Sequence, residues 1–128
     1  MTRTTLTRRE LDIMEVLWER GACAIREIHE ALPDKRRPAF TTVQTVVYRL
    51  ETMGMLRRAK RIGRAVVVDA VVSRQAAHTS LVDQLLHLFD GRAHLLVARL
   101  AETGKLTLDD VKQAEDAVRR FAKKGRRR

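Results

Sequence analysis

The chain has 128 residues, enough for one domain and a small appendage, and its 45% apolar content argues against disorder. Only 4% of residues are aromatic, so the core must be Leu, Val, Ile and Ala, and a core this small gains from pairing with a second copy. The 26 basic and 16 acidic residues leave a net charge of +10, suited to a polyanion such as nucleic acid or an anionic membrane surface, while the one cysteine, Cys23, excludes a disulfide framework and a cysteine-based zinc site.

The first helix follows Thr7, whose spacing to Glu10 makes a capping box, with Leu6 and Leu11 at staple positions. Leu11, Met14, Leu17 and Trp18 recur at helical spacing and Gly21 stops the run. Arg8 and Arg9 lie in the first turn, where the helix dipole disfavours cations; an external anion or a solvated face would explain them equally. A short second helix carries Ile25, Ile28 and Leu32 and closes at Pro33. PDKRRPAF is then a charged loop framed by Pro33 and Pro38.

The third helix is expected from Thr41, with Thr41 and Gln44 as a second capping box. Val43, Val46, Val47 and Leu50 form one apolar stripe. Thr41, Thr45, Tyr48 and Thr52 fall on the opposite face, with Gln44 and Arg49 at its edges, and Gly54 ends the run. LRRAKR and AVVVD are strand candidates around a tight IGR turn, in which Gly63 can take a positive φ. This hairpin is basic along one strand and at its tip, through Arg57, Arg58, Lys60, Arg61 and Arg64.

From Ser73, a good N-cap, the chain is helical again. Leu81, Val82, Leu85, Leu86, Leu88 and Phe89 give a broad apolar stripe; Asp90 is expected to cap a helix carrying Leu95, Leu96, Val97 and Leu100, broken by Gly104. Thr107 and Asp110 repeat the capping logic before a last helix with Val111, Ala114, Val118 and Phe121 inward. AKKGRRR is a dense positive run. No apolar stretch approaches the ~18 residues of a membrane span, and MTRTTLTRREL has no hydrophobic signal core, so no membrane partner and a cytoplasmic location are expected.

A three-helix unit followed by a basic hairpin suits duplex DNA, whose major groove admits one helix. Gln44, Thr45 and Tyr48 are the candidates for base contact; Thr41, Thr42, Arg49 and the hairpin basics Arg57, Arg58, Lys60, Arg61 and Arg64 are candidates for phosphate. Each has a plainer reading beside it. Thr41 can serve as a helix cap, Tyr48 can be partly buried, and the hairpin basics can be a solvated edge that resists aggregation. The generous apolar faces after residue 72 point to self-association, with Leu81, Leu85, Leu88, Phe89, Val118 and Phe121 as the dimer contacts. Enzymatic activity is not expected. Asp83 with His87 and Asp90 with His94 have i, i+4 spacing, but there is no HExxH and no Gly-rich phosphate loop, so no metal and no cofactor is expected.

The segments LTRRELDIMEVLW (6–18), IREIHEALPDKR (25–36), FTTVQTVVYRLETMGML (40–56), GRA (63–65), VSR (72–74) and LFDG (88–91) together resemble the penicillinase repressor family. That family includes repressors of β-lactamase and methicillin-resistance genes and copper-responsive relatives. The resemblance implies a mainly α fold with a small β-hairpin wing: a winged helix-turn-helix DNA-binding domain over 1–71 and a helical dimerisation region over 72–122; the dense positive run makes 123–128 a basic tail expected to be disordered. It implies a homodimeric repressor on dyad-symmetric operator DNA, with recognition-helix positions at Thr41, Thr42, Gln44, Thr45 and Arg49, and leaves any upstream sensor protein unidentified. The runner-up is a basic winged-helix module for architectural DNA binding or protein interaction. Four departures stand out. The Asn–Phe bond cleaved in β-lactam-responsive members aligns with Arg99–Leu100; the copper relatives' C-terminal cysteine cluster is missing; Val68 and Ala70 replace the wing's tyrosine and proline; and Ala24 replaces the threonine before the second helix.

Overall fold

The computed structural model describes residues 6–125. In order it contains α1 (Arg8–Arg20), β1 (Cys23–Ala24), α2 (Ile25–Ala31), a 3-10 turn (Asp34–Arg36), α3 (Phe40–Thr52), β2 (Leu56–Ile62), β3 (Ala65–Ala70), α4 (Arg74–Leu88), α5 (Ala93–Glu102) and α6 (Leu108–Gly125). The fold is mainly helical with a small antiparallel sheet, a winged helix-turn-helix followed by a helical region. Two compact units emerge, Met1–Gln84 and Leu85–Arg128, with the start of α4 in the first.

The first unit closes around one apolar cluster. Glu10 N–H donates to Thr7 Oγ1 (3.2 Å) and Thr7 N–H to Glu10 Oε1 (2.8 Å), so the capping box forms as expected and starts α1. Gly21 ends α1 at φ +81, its N–H donating to Leu17 O. Ile13, Met14 and Leu17 of α1, Ile28 of α2 and Val43, Val46, Val47 and Leu50 of α3 are buried together. Burying each aliphatic side chain is worth about 1.5–3 kcal/mol, enough to hold a valine-rich helix that has poor intrinsic propensity.

The start of α3 differs from expectation. The N-cap is Ala39, without a side-chain hydrogen bond, and the helix begins at Phe40. Thr41 therefore sits inside the first turn and does not cap; Thr42 and Val43 N–H groups bond Ala39 O instead. Packing of Phe40, edge-on to His29 at 5.8 Å and partly buried on the core, sets this end. At α2, Ala24 cannot supply a capping oxygen, but its N–H donates to Glu27 Oε1 at 2.8 Å, which retains half of a capping box. The charged loop after Pro33 is organised by Arg37, whose guanidinium donates to the carbonyls of Glu30 and Leu32 and pairs with Asp34.

The hairpin forms, with Ile62 opposite Ala65 and Gly63 at φ +60 in the two-residue turn. Two features go beyond the expectation. Cys23 and Ala24 add a third strand, giving the order β1-β3-β2. An extra residue, Ala59, bulges from β2 between the pairs Arg58–Val68 and Lys60–Val67. The hairpin base is tied down by Val71 and Val72 N–H groups donating to Met55 O.

Trp18 Nε1–H donates to Val72 O at 2.8 Å, Arg74 bonds Glu15 at 3.1 Å, and Ala77 is buried; these hold the start of α4 to the first unit. Ser73 Oγ accepts from Ala76 N–H, as its N-cap position predicts. Asp90 does not cap α5. It takes φ +54 beside Gly91 at φ +75, and Arg92 is the N-cap. Gly104, at φ +73, follows the end of α5, and Thr107 and Asp110 exchange reciprocal bonds of 2.9 and 3.0 Å at the start of α6. Those bonds hold the Asp110 carboxyl below its ordinary pKa. The last helix continues through Gly125, so Lys123 and Lys124 are helical, while residues 126–128 of the expected tail lie outside the described residues.

Cys23 is buried in β1 opposite Val68. Burial raises its thiol pKa, Glu27 adds to the rise, and Arg20 opposes it. The reactive thiolate is correspondingly scarce at neutral pH. Alkylation of the native protein is expected to be more than about tenfold slower than alkylation in denaturant; equal rates would show that this strand edge is open.

Candidate nucleic-acid interface

The outer face of α3 is built by subtraction. With Val43, Val46, Val47 and Leu50 turned into the core, Thr41, Thr45, Tyr48 and Thr52 are left exposed, and Thr42 and Gln44 half-buried. The hydroxyls of Thr45 and Thr52 donate to the carbonyls of Thr41 and Tyr48, four residues back, at 3.0 and 3.1 Å. Their protons are thus used within the helix, and each threonine offers a methyl group and an acceptor oxygen. Gln44 Nε2 donates to Tyr48 Oη at 3.0 Å.

Arg49 lies on the flank. Its Nε is 3.1 Å from Glu10 Oε2, and the Glu10 side chain is fully buried while that of Arg49 is 49% exposed. One side of the guanidinium therefore anchors α3 to α1 and the rest faces solvent. The sequence marks Glu10 only as a capping-box residue; its second task is long-range and has no local signal.

The wing places Arg57, Arg58, Lys60, Arg61 and Arg64 on exposed positions. Arg57 faces Asp69 at 3.7 Å, and Arg58 pairs with Glu51 at 3.0 Å. Lys60, Arg61 and Arg64 have no ion pair among the described residues. Glu51 and Asp69, like Arg26 and Phe40, carry no local sequence signal for these positions. Between the start of α3 and the wing tip lies a cleft of about 340 Å³ bounded by Arg26, Phe40, Gln44, Ile62 and Arg64. Arg26 stacks over Phe40 at 5.8 Å, so that wall combines a cation with a ring face. Gln44 of α3 and Arg64 of the wing thus line the same cleft of the first unit.

Among the described residues no group of three His, Cys, Asp or Glu side chains could hold a metal ion, and no helix is long and apolar enough to cross a membrane.

The sequence pattern of the penicillinase repressor family matches residues 6–120, nearly the whole chain. This chain belongs to the penicillinase repressor family. No curated protein matches the sequence significantly. Among solved structures, the chain is similar to the DNA-binding domain of the repressor BlaI, at 25% identity and a TM-score of 0.51, over 59% of this chain and 93% of that one. It also shares its fold with the YusO protein of Bacillus subtilis, at 17% identity and a TM-score of 0.52, over 94% of this chain and 77% of that one. Family and fold together make the chain a winged-helix regulator of the DNA-binding class, and the matched family is one of repressors.

Against the penicillinase repressor pattern, the departures acquire locations. Val68, in place of the wing tyrosine, is buried in the core, and Ala70 stands opposite Leu56. Arg99–Leu100 lies inside α5. Ala24, in place of the N-cap threonine before α2, pairs with Val67 in the sheet and leaves only the Glu27 half of the capping box.

Removing Arg49 takes a guanidinium from a fully buried carboxylate. Arg49→Ala is expected to lower stability by about 1–3 kcal/mol, the range for a hydrogen bond to a charged group, and Glu10→Gln in the same chain should recover part of it. Urea denaturation of the two variants measures both; an unchanged midpoint for Arg49→Ala would remove the pair from the account of how α3 is held.

Proposed function

We propose that this protein is a sequence-specific repressor that binds double-stranded operator DNA as a homodimer on a dyad-symmetric site. The observation that carries the reading is the two-sided α3: a buried Val/Leu stripe behind it and a Thr/Gln/Tyr face in front, with a cation-rich wing alongside. In this reading the first unit reads DNA. Gln44, Thr45 and Tyr48 meet base edges in the major groove, and the Thr45 methyl suits a thymine methyl. Thr41, Thr42 and the exposed side of Arg49 meet phosphates, as do Arg57, Lys60, Arg61 and Arg64 of the wing. Membership of a repressor family and likeness to a solved repressor DNA-binding domain support it.

The dimer is supported by exposure. Val118 and Phe121 of α6 are each 67% exposed in the single chain, and Leu85 and Leu88 of α4 are also exposed, while Leu81 and Phe89 are half-buried. An apolar stripe this open calls for a partner, and a second copy supplies an identical stripe. Two copies of α3 would then address half-sites about one helical turn, or a multiple of it, apart. The regulated genes are proposed, on family grounds alone, to be antibiotic-resistance or related stress genes, with the cytoplasm as the place of action. Derepression is proposed not to use cleavage at residues 99–100, which here are Arg and Leu within a helix.

Selection of genomic fragments by the purified protein tests the reading. A two-fold protected footprint on a recurring sequence is expected; equal affinity for scrambled duplex would sink the operator and leave an architectural module. Replacing Lys60, Arg61 or Arg64 by alanine should weaken binding uniformly across sequences. The log–log salt dependence should flatten by about 0.9 for each phosphate no longer neutralised, counted in both protomers.

Val118→Asp and Phe121→Asp place charges on the proposed dimer face. Sedimentation should show a shift from dimer to monomer at micromolar protein, with helix content retained in the first unit. A dimer unchanged by both substitutions would move the interface elsewhere.

A further inference from the structure

We propose that Arg58 is a specificity-determining positioning residue, the root of a relay from the wing through Tyr48 to Gln44, rather than a phosphate anchor. The inference rests on the DNA-reading role given above to α3 and refines what one wing arginine does there.

Five basic residues line the wing, and Arg58 is the one whose ion pair runs to α3. Its Nε lies 3.0 and 3.2 Å from the two carboxylate oxygens of Glu51. Its guanidinium carbon sits 5.0 Å from the centre of the Tyr48 ring. Tyr48 Oη in turn accepts the Gln44 Nε2–H at 3.0 Å. The sequence spreads these four residues over two elements; the fold joins them in one line, Glu51–Arg58–Tyr48–Gln44. The bulge at Ala59 belongs to the same arrangement, because it adjoins Arg58 where that residue faces Val68. A bulge re-aims the side chains beside it.

Two consequences follow from the charges and the geometry. The Glu51 carboxylate already balances the Arg58 cation and would itself repel an approaching phosphate, so Arg58 displaces few counterions from DNA. Meanwhile the ring stack restrains Tyr48, an exposed side chain, and the hydroxyl restrains Gln44. Side chains held in place before binding lose less freedom on binding. Gln44 keeps its amide oxygen and a second amide proton for a base edge, and Tyr48 keeps its hydroxyl proton. The isolated ion pair would be weak at this exposure; the stack and the hydrogen bond are what turn it into a brace.

The test is selection from a random duplex library with the full-length protein, combined with affinity measured against salt. The base pairs read by Gln44 are defined as those whose preference Gln44→Ala removes. Arg58→Lys and Arg58→Ala are expected to lose preference at those same pairs, by about fivefold or more, the lower end for one polar base contact. The salt slope should stay within error of the unaltered protein. Tyr48→Phe, which keeps the ring and the fold but removes the hydroxyl, should lose part of the same preference. Glu51→Gln should loosen it too. The proposal is overturned if Arg58→Ala flattens the salt slope while Arg58→Lys restores it and base preference is untouched, for that is the behaviour of a phosphate contact. Full preference in Tyr48→Phe would overturn the relay as well. An unaltered protein with no base preference would instead remove the operator reading on which the relay depends, an outcome visible before any variant is made.

Discussion

The pair between Glu10 and Arg49 fixes how α3 can be used. Burial of Val43, Val46, Val47 and Leu50 already forces that stripe inward, but an apolar stripe is about 100° wide and tolerates some roll. A fully buried carboxylate does not tolerate it, because losing its partners costs far more than a small shift in packing. Glu10 itself is fixed by the Thr7 backbone at the first turn of α1. The start of one helix therefore sets the rotation of another, and with it which side chains face outward. Everything on the exposed face, from the Thr45 methyl to the Gln44–Tyr48 bond, inherits its direction from that constraint.

The wing depends on α3 in a similar way. A two-stranded hairpin is marginal in water, and here it is stabilised along the middle of β3 and just beyond its end: Cys23 and Ala24 add a third strand beside Val68 and Val67, and Met55 accepts two backbone hydrogen bonds from Val71 and Val72. Arg58 then links the exposed surface of the hairpin to the exposed surface of the helix. Helix α3 and the wing are thus one surface rather than two appendages, which matters to the proposed reading because major-groove and backbone contacts would have to be made in a single register.

Much of this was legible in the sequence because it is local. The Thr7–Glu10 and Thr107–Asp110 boxes, the Ser73 cap and the IGR turn all use residues within four positions of one another, and each formed. The failures are equally instructive. Thr41 and Asp90 have the chemistry of a cap, but Phe40 packing and the left-handed turn at Asp90–Gly91 decided those helix starts. A two-residue strand such as β1 carries no periodicity to detect. The partners that give the interface its shape, Glu10 for Arg49 and Glu51 for Arg58, are separated from them by 39 and 7 positions, and acidic residues on helices look alike until the chain is folded. The helical region after residue 85 was legible as apolar faces, and these are exposed in the single chain.

The hydrogen bond from Trp18 to Val72 has an optical side. This is the chain's single tryptophan, its indole N–H is held by a backbone carbonyl just ahead of α4, and His78 and Arg74 lie against its ring. An indole in such a position emits according to its surroundings. The molecule therefore carries one built-in fluorophore within the first unit, where α1 meets the start of α4. Its emission registers whether the first turns of α4 remain seated on α1, with no label and no second indole to blur the signal.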